Sequence, residues 1–130
     1  MAQHRILSVG QCGFDHGSLS RFFDRRFDAK VVGADTRDEA LDALRSGPFD
    51  LVLVNRVSDR DGSPGLELIR AMKSDPATAD VPVMLVSNYP DAQDQAVALG
   101  ALRGFGKSQL NDPETIRAIE SLLSPKDQIR

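Results

Sequence analysis

The chain has few cysteines and histidines and no long apolar run, the features from which metal sites and membrane-spanning helices are built. Its 130 residues include one cysteine, Cys12, and two histidines, His4 and His16. A single thiol excludes an internal disulfide and a cysteine-rich metal site, and neither histidine has an evident catalytic partner. No apolar run approaches the roughly 18 residues that a membrane helix needs. These shortages argue against an enzyme, a bound metal and a membrane protein.

The chain also lacks an excess of basic charge. Its 16 lysines and arginines face 19 aspartates and glutamates, a formal net charge of −3. The basic residues are scattered, whereas a nucleic-acid-binding surface needs them clustered, so we expect no nucleic-acid partner. The first residues lead directly into a strand-like segment and not into a signal peptide. We therefore expect a cytoplasmic protein.

What remains is the composition of an ordinary globular domain. Hydrophobic residues make up 41% of the chain and charged residues 27%, both usual for a folded domain. The length corresponds to one domain. We expect this domain to cover residues 1–124 and a flexible tail to cover residues 125–130.

Short apolar runs alternate with helical patterns along the whole chain. The runs are apolar at successive positions, as in parallel strands covered on both faces. They are residues 6–9, 31–34, 51–54, 83–86 and, most weakly marked, 102–105. Between them, apolar residues recur at helical spacing, and Thr36 with Glu39 forms a capping-box pattern before the second helix. This repetition predicts an α/β fold, a five-stranded parallel sheet with helices on both faces.

Several of these segments resemble the receiver domain of bacterial two-component response regulators. The resemblance covers the chain from Arg5 to about Leu123. It implies the flavodoxin-like (βα)5 fold with strand order 2-1-3-4-5, whose site lies at the carboxyl ends of the strands. The segments with the most specific likeness are residues 34–41, 49–55, 65–69 and 81–87, together with Gly100 and Lys107.

The resemblance implies a phosphorylation site, and the residues that react there are missing. In the family, an aspartate ending the third strand accepts a phosphoryl group, but the matching residue is Asn55. A carboxamide has no nucleophilic carboxylate oxygen that could form an acyl phosphate. The acidic pair that holds Mg²⁺ is matched by Gly10 and Gln11, which also supply no carboxylate. We therefore expect a receiver without a phosphoacceptor or a metal site.

Other positions of the family's site are only partly kept. Ser87 matches the hydroxyl that contacts the phosphoryl group, and Lys107 matches the lysine that pairs with it. Gly104 stands where the family has its aromatic switch residue, and Asn88 replaces a small residue. The loop at residues 59–64 is longer than the family's. These departures predict that the switching machinery is altered along with the acceptor.

The function that follows is a stand-alone receiver-like domain of a phosphorelay, independent of phosphorylation and acting by protein–protein contact without a cofactor. The resemblance implies a histidine kinase or a downstream effector as partner. The contact surface would be the face made by helix 4, strand 5 and helix 5, residues 91–106 and 113–122. A homodimer remains open.

A first alternative is a receiver that a kinase phosphorylates at another acid, such as Asp59 or Asp61. These residues and Asp15 would then have to rebuild the acidic site. Acids in loops rich in glycine and polar residues are usually solvated turn formers, so we expect solvated turns instead.

A second alternative is a nucleotide- or flavin-binding module. The glycine-rich loop of residues 10–17 follows a strand and opens a helix, and Asp35 ends the second strand, where a ribose-binding acid would lie. The glycine spacing differs from the G-x-G-x-x-G pattern. Cys12 in this loop is expected to be a partly buried, inert thiol.

Overall fold

A computed structural model of the chain describes residues 3–123. The strands are β1 (His4–Val9), β2 (Ala29–Ala34), β3 (Leu51–Asn55), β4 (Val83–Val86) and β5 (Leu102–Phe105). The helices are α1 (Gly13–Phe27), α2 (Arg37–Ser46), α3 (Gly65–Ser74), α4 (Pro90–Ala98) and α5 (Pro113–Glu120), with a 3₁₀ turn at Lys107–Gln109. The tail predicted to be flexible, residues 125–130, lies outside the described part.

The strands form one parallel sheet in the order β2-β1-β3-β4-β5, which confirms the predicted fold. In its register, Val9 lies beside Ala34 of β2 and Val54 of β3, and Asn55 lies beside Val86 of β4. The carboxyl ends of these strands therefore meet at one edge of the sheet, where the loops that follow them come together.

Apolar residues on both faces of the sheet explain why the strands show no alternation in sequence. Leu51 and Leu53 of β3 pack with residues of α1 and α5, while Val52 and Val54 pack with residues of α2, α3 and α4. All four side chains are almost completely buried. A strand covered in this way needs an apolar residue at every position.

The start of α2 follows the predicted capping box in one half only. The Thr36 hydroxyl accepts a hydrogen bond from the backbone N–H of Glu39 at 3.2 Å, as expected. The Glu39 carboxylate accepts from the N–H of Asp35 at 2.8 Å, one residue earlier than in the standard box. Both bonds fix the chain where it leaves β2.

No helix within residues 3–123 combines the length and the apolar character that crossing a bilayer demands.

Candidate functional site at the carboxyl edge of the sheet

The carboxyl edge brings together three of the positions singled out in the sequence. Asn55 ends β3, Ser87 follows β4 and Lys107 follows β5, and all three line an open cavity of about 260 Å³. Gly10 and Gln11 follow β1 but do not line this cavity. Its cationic side chains are Arg56 and Lys107, and its lining holds no carboxylate.

Asn55 is tied down by its amide nitrogen. Nδ2 donates to the carbonyl oxygen of Gly10 at 3.0 Å and to that of Val57 at 2.7 Å, which uses both amide hydrogens. An ionised carboxylate has no hydrogen to donate, so an aspartate could not make either bond. The side chain at this position holds the loops after β1 and β3 together.

Gly10 completes this arrangement through its backbone. Its φ of +76° lies in the left-handed region, and its carbonyl also accepts from the N–H of Asp59 at 2.9 Å. A Cβ at Gly10 would lie 3.1 Å from Cα of Ser58. Any residue with a side chain would therefore be strained in both backbone and space.

Lys107 is paired with an acid that the sequence had placed elsewhere. Its Nζ lies 2.5 Å from Oδ2 of Asp15, and the same oxygen accepts from the Cys12 thiol at 3.2 Å. The Lys107 ammonium holds the pKa of Asp15 below its ordinary value, and the Cys12 bond adds to this effect against partial burial. The expectation that Asp15 is a solvated turn former is wrong, because α1 begins at Gly13 and carries Asp15 in its first turn.

Ser87 is buried and serves the turn between β4 and α4. Its hydroxyl oxygen accepts from the N–H of Tyr89 at 3.1 Å, and its own N–H donates to the Phe105 carbonyl at 2.9 Å. The guanidinium of Arg56 lies 4.9 Å from the ring centroid of Tyr89. These contacts order the mouth of the cavity.

Gln93 was missed in the sequence, yet it makes the densest set of side-chain hydrogen bonds near the site. Its Nε2 donates to the carbonyls of Leu85 at 2.9 Å and Ser87 at 3.1 Å. Its Oε1 accepts from the N–H of Gly104 at 2.8 Å. A buried side chain of α4 thus fixes β4 to β5. The signal was its helical spacing with Ala96, which places a polar residue on the inward face of α4.

The backbone of β4 leaves no room for a side chain at Gly104. A Cβ at this position would overlap the carbonyl oxygen of Leu85. The pairing of β4 with β5 also shifts register between Met84 and Val86. Phe105, the next residue, is buried in the core. The predicted switch position is therefore a point of close contact between backbones.

The remaining acids are dispersed. Asp59 is exposed, and Asp61 accepts from the N–H of Ser63 at 3.0 Å and from its hydroxyl at 2.7 Å. These bonds lower the pKa of Asp61. Asp35 pairs with Arg60 at 2.8 Å. Over the described residues, no three His, Cys, Asp or Glu side chains are grouped so that they could hold a metal ion.

Comparison with known proteins gives a match in structure only. No protein-family model and no curated protein sequence matches the chain. The signal receiver domain of a DNA-binding response regulator from Colwellia psychrerythraea 34H is 29% identical, covering 92% of this chain and 98% of its own, with a TM-score of 0.77.

Two further solved structures are less similar in sequence and bear on the fold alone. A response regulator from Thermotoga maritima is 22% identical, with 93% of this chain and 98% of that chain covered and a TM-score of 0.74. The chemotaxis protein CheY4 of Vibrio cholerae is 19% identical, with 94% and 100% covered and a TM-score of 0.72. The chain therefore has the fold of response regulator receiver (CheY-like) domains.

Proposed function

We propose that the chain is a receiver domain of two-component signalling that acts without being phosphorylated and presents one fixed surface to a signalling partner. The observation that carries the proposal is the pair of hydrogen bonds from the Asn55 amide to the carbonyls of Gly10 and Val57. An aspartate there would lose both bonds and bring oxygen lone pairs against two carbonyl oxygens. The Asn55 side chain is thus suited to holding the two loops together and not to accepting a phosphoryl group.

The residues at the metal position do not fit Mg²⁺. This ion prefers carboxylates, waters and phosphate oxygens in octahedral geometry. Gly10 supplies no carboxylate, and its backbone leaves no room for one. The Gln11 amide is buried away from the cavity that holds Asn55. We therefore derive no metal-assisted step.

The link between α4 and β5 supports a single conformation. Gln93 ties the carbonyls of Leu85 and Ser87 to the N–H of Gly104, and Gly104 carries no aromatic ring that could change position. A conformational equilibrium moves only when a ligand binds one state more tightly than the other. Without a phosphoryl group to bias two states, the surface rests in one.

The partner surface that we propose is the α4–β5–α5 face, formed by residues 90–98, 102–105 and 113–120. Receiver domains generally contact kinases or effectors. On this face Val97 and Leu102 each expose 42% of their surface, and a groove of about 320 Å³ runs between the elements. Neither side chain lines the groove, and the partner that we propose contacts both the groove and these apolar side chains. A second copy of the chain remains an alternative occupant.

The decisive experiment is attempted phosphorylation. Wild-type protein and Asn55→Asp are incubated with acetyl phosphate and Mg²⁺ and measured by intact mass. We expect no phosphoryl adduct on the wild type, because Asn55 has no nucleophilic oxygen. We also expect none that is stable on Asn55→Asp, because Gly10 and Gln11 still hold no metal. Asp59→Asn/Asp61→Asn is the matched control for the alternative acceptors.

An adduct on the wild type that disappears in Asp59→Asn/Asp61→Asn would overturn the proposal in favour of a displaced phosphorylation site. The conformational part is tested by amide chemical shifts of residues 87–106 in Asn55→Asp, with and without beryllofluoride and Mg²⁺. Large shifts across α4 would mean that switching survives.

The proposed face is tested by binding. Leu102→Glu places a charge on exposed β5, whereas Phe14→Glu makes the same change at a residue of α1 that is 78% exposed. Once a partner kinase or effector is identified, Leu102→Glu should weaken its binding and Phe14→Glu should not. Equal loss in both variants would place the contact elsewhere.

A further inference from the structure

The groove of the α4–β5–α5 face lies at one end of that face. It is lined by Gly104 and Phe105, which end β5, and by Pro90, which begins α4. The exposed residues Val97 and Leu102 lie at the other end, in the last turn of α4 and at the start of β5. A molecule that covers the whole face therefore meets the groove near the carboxyl end of β5 and apolar side chains near its amino end.

The floor of the groove is apolar. Met84 and Phe105, both almost completely buried, line it together with Ala118 of α5, and Gly104 adds no side chain that would fill it. Binding energy at protein interfaces is concentrated where an anchoring side chain enters a pocket of this kind. The groove can therefore take up an apolar side chain of a partner.

The rim of the groove has negative charge. Asp112 directly precedes α5 and Glu114 lies in its first turn, and both side chains are exposed. Over residues 3–123, neither carboxylate forms an ion pair, and Asp112 makes no capping bond. Arg103, the cation of the groove lining, is bonded to Asp94 at 2.8 Å. The charge of the two acids is thus left for a partner to meet.

The sign of the charge changes between the groove and the cavity that holds Asn55. The two share Ser87 and Asn88 in their linings. The cations of the Asn55 cavity are Arg56 and Lys107. Complementary charge guides which partner binds and in which register, so a cationic partner is favoured at the groove and disfavoured at the neighbouring cavity.

The edge of the sheet beside the groove does not favour an added strand. β5 has four residues, its pairing with β4 shifts register, and the N–H of Gly104 already donates to Gln93. Short and irregular edges discourage strand pairing. The rise of β5 from Leu102 to Phe105 is about 10 Å, which about two turns of α-helix match.

We propose that the α4–β5–α5 face binds a basic amphipathic helix of the signalling partner. The apolar side of this helix contacts Val97 and Leu102 and places one side chain in the groove, as in other helix-in-groove complexes. A lysine or arginine about two turns away pairs with Asp112 and Glu114. This inference rests on the proposed contact surface, and it adds the sign of the partner's charge.

The test is a titration of the ¹⁵N-labelled full chain with two synthetic peptides of about 14 residues, long enough for about four helical turns. One consists of leucine, alanine and lysine with a leucine stripe at helical spacing, and the other has glutamate at each lysine. The lysine peptide should shift the amide signals of residues 90–105 and 112–120 saturably. The glutamate peptide should bind at least about tenfold more weakly, and about 0.5 M salt should reduce the difference.

A pair of double variants separates the charge of the groove from the charge of the whole chain. Asp112→Asn/Glu114→Gln should bind the lysine peptide about fivefold more weakly, the effect of two exposed ion pairs. Asp38→Asn/Glu67→Gln is the matched control, because these exposed acids lie in the first turns of α2 and α3. It loses the same charge and a similar interaction with helix dipoles, and it should bind as the wild type does.

Equal binding of the two peptides, no saturable shift with the lysine peptide, or equal loss in both double variants would overturn the inference. Signals of this face that shift with protein concentration alone would place a second copy of the chain there and overturn it as well. If Leu102→Glu weakens peptide binding and Asp112→Asn/Glu114→Gln does not, the proposed surface stands and the sign of the partner's charge is wrong. None of these titrations contains acetyl phosphate, so their failure leaves the proposed independence of phosphorylation untouched.

Discussion

Leu53 and Asn55 are neighbours on the same face of β3, and they meet different requirements. Leu53 is fully buried among the apolar residues contributed by α1 and α5, where only its volume and apolar character count. Asn55 is half-buried at the strand end, where its two amide hydrogens match two carbonyl oxygens. Within two residues, the requirement changes from packing to hydrogen-bond geometry. The receiver fold and the chemistry at its edge therefore depend on separate residues.

The largest effect that would test this separation is expected from Leu53→Ala. Removing a fully buried leucine should lower the free energy of unfolding by about 2–5 kcal/mol. Asn55→Ala removes the amide donor to the carbonyls of Gly10 and Val57 at a site that water can reach, and the Gly10 carbonyl keeps the N–H of Asp59, so it should cost only about 1 kcal/mol. Urea denaturation followed by circular dichroism measures both. A similar cost for the two variants would mean that the edge is as integral to the fold as the core.

A smaller effect is expected at Gly104, where the backbones of β4 and β5 are in close contact. Gly104→Ala would place a methyl group against the carbonyl of Leu85, and overpacking of this kind costs about 1–3 kcal/mol. Gly13→Ala is the matched control, because a Cβ at Gly13 meets nothing within 4 Å. Thermal melting of the two variants should differ clearly. If Gly104→Ala and the wild type have the same melting temperature, β5 can shift away from β4 to accommodate the methyl group. The surface beside β5 would then not be fixed.

The smallest effect concerns the ion pair between Asp15 and Lys107. Since the fold lowers the pKa of Asp15, its carboxylate stabilises the protein above its ordinary pKa, and this contribution disappears as the pH falls through the lowered value. Asp15→Asn should therefore be about 0.5–1 kcal/mol less stable at neutral pH, a part-exposed pair being screened by water. The difference should shrink below about pH 4.

Urea titrations of Asp15→Asn across pH 3–7 at low salt check this, with Asp59→Asn as the exposed control. A difference that grows on acidification would have the wrong sign and would mean that the fold raises the pKa of Asp15 instead of lowering it.

Most of the fold was predictable because burial on both faces leaves a plain signal in the sequence. Residues 51–54 and 83–86 are apolar at every position, which only a covered parallel strand requires. The strand order was predicted from the resemblance and not from the apolar pattern, because the pattern does not record which strands are adjacent. The positions of Asn55, Ser87 and Lys107 at one edge followed from their places at strand ends, although their chemical roles remain predictions.

The sequence could not predict the partners of these side chains. Asp15 was assigned to a loop because glycines surround it, and only the helix that begins at Gly13 brings it to Lys107. Gln93 was overlooked because glutamines are mostly exposed. Gln11 was recognised as a missing acid, but its burial without a partner depends on how the first loop folds against β2.

The left-handed backbone at Gly10 limits which substitutions this edge of the sheet can accept. An acidic side chain at this position would require the peptide after β1 to turn over, which would release the Gly10 carbonyl from Asn55 and from the N–H of Asp59. Without that rearrangement each of two changes is destabilising by itself, since an acid at Gly10 is strained and an aspartate at Asn55 faces two carbonyl oxygens. Single substitutions that add carboxylates at this edge therefore pass through less stable proteins, so the left-handed glycine limits which side chains the edge can gain one at a time.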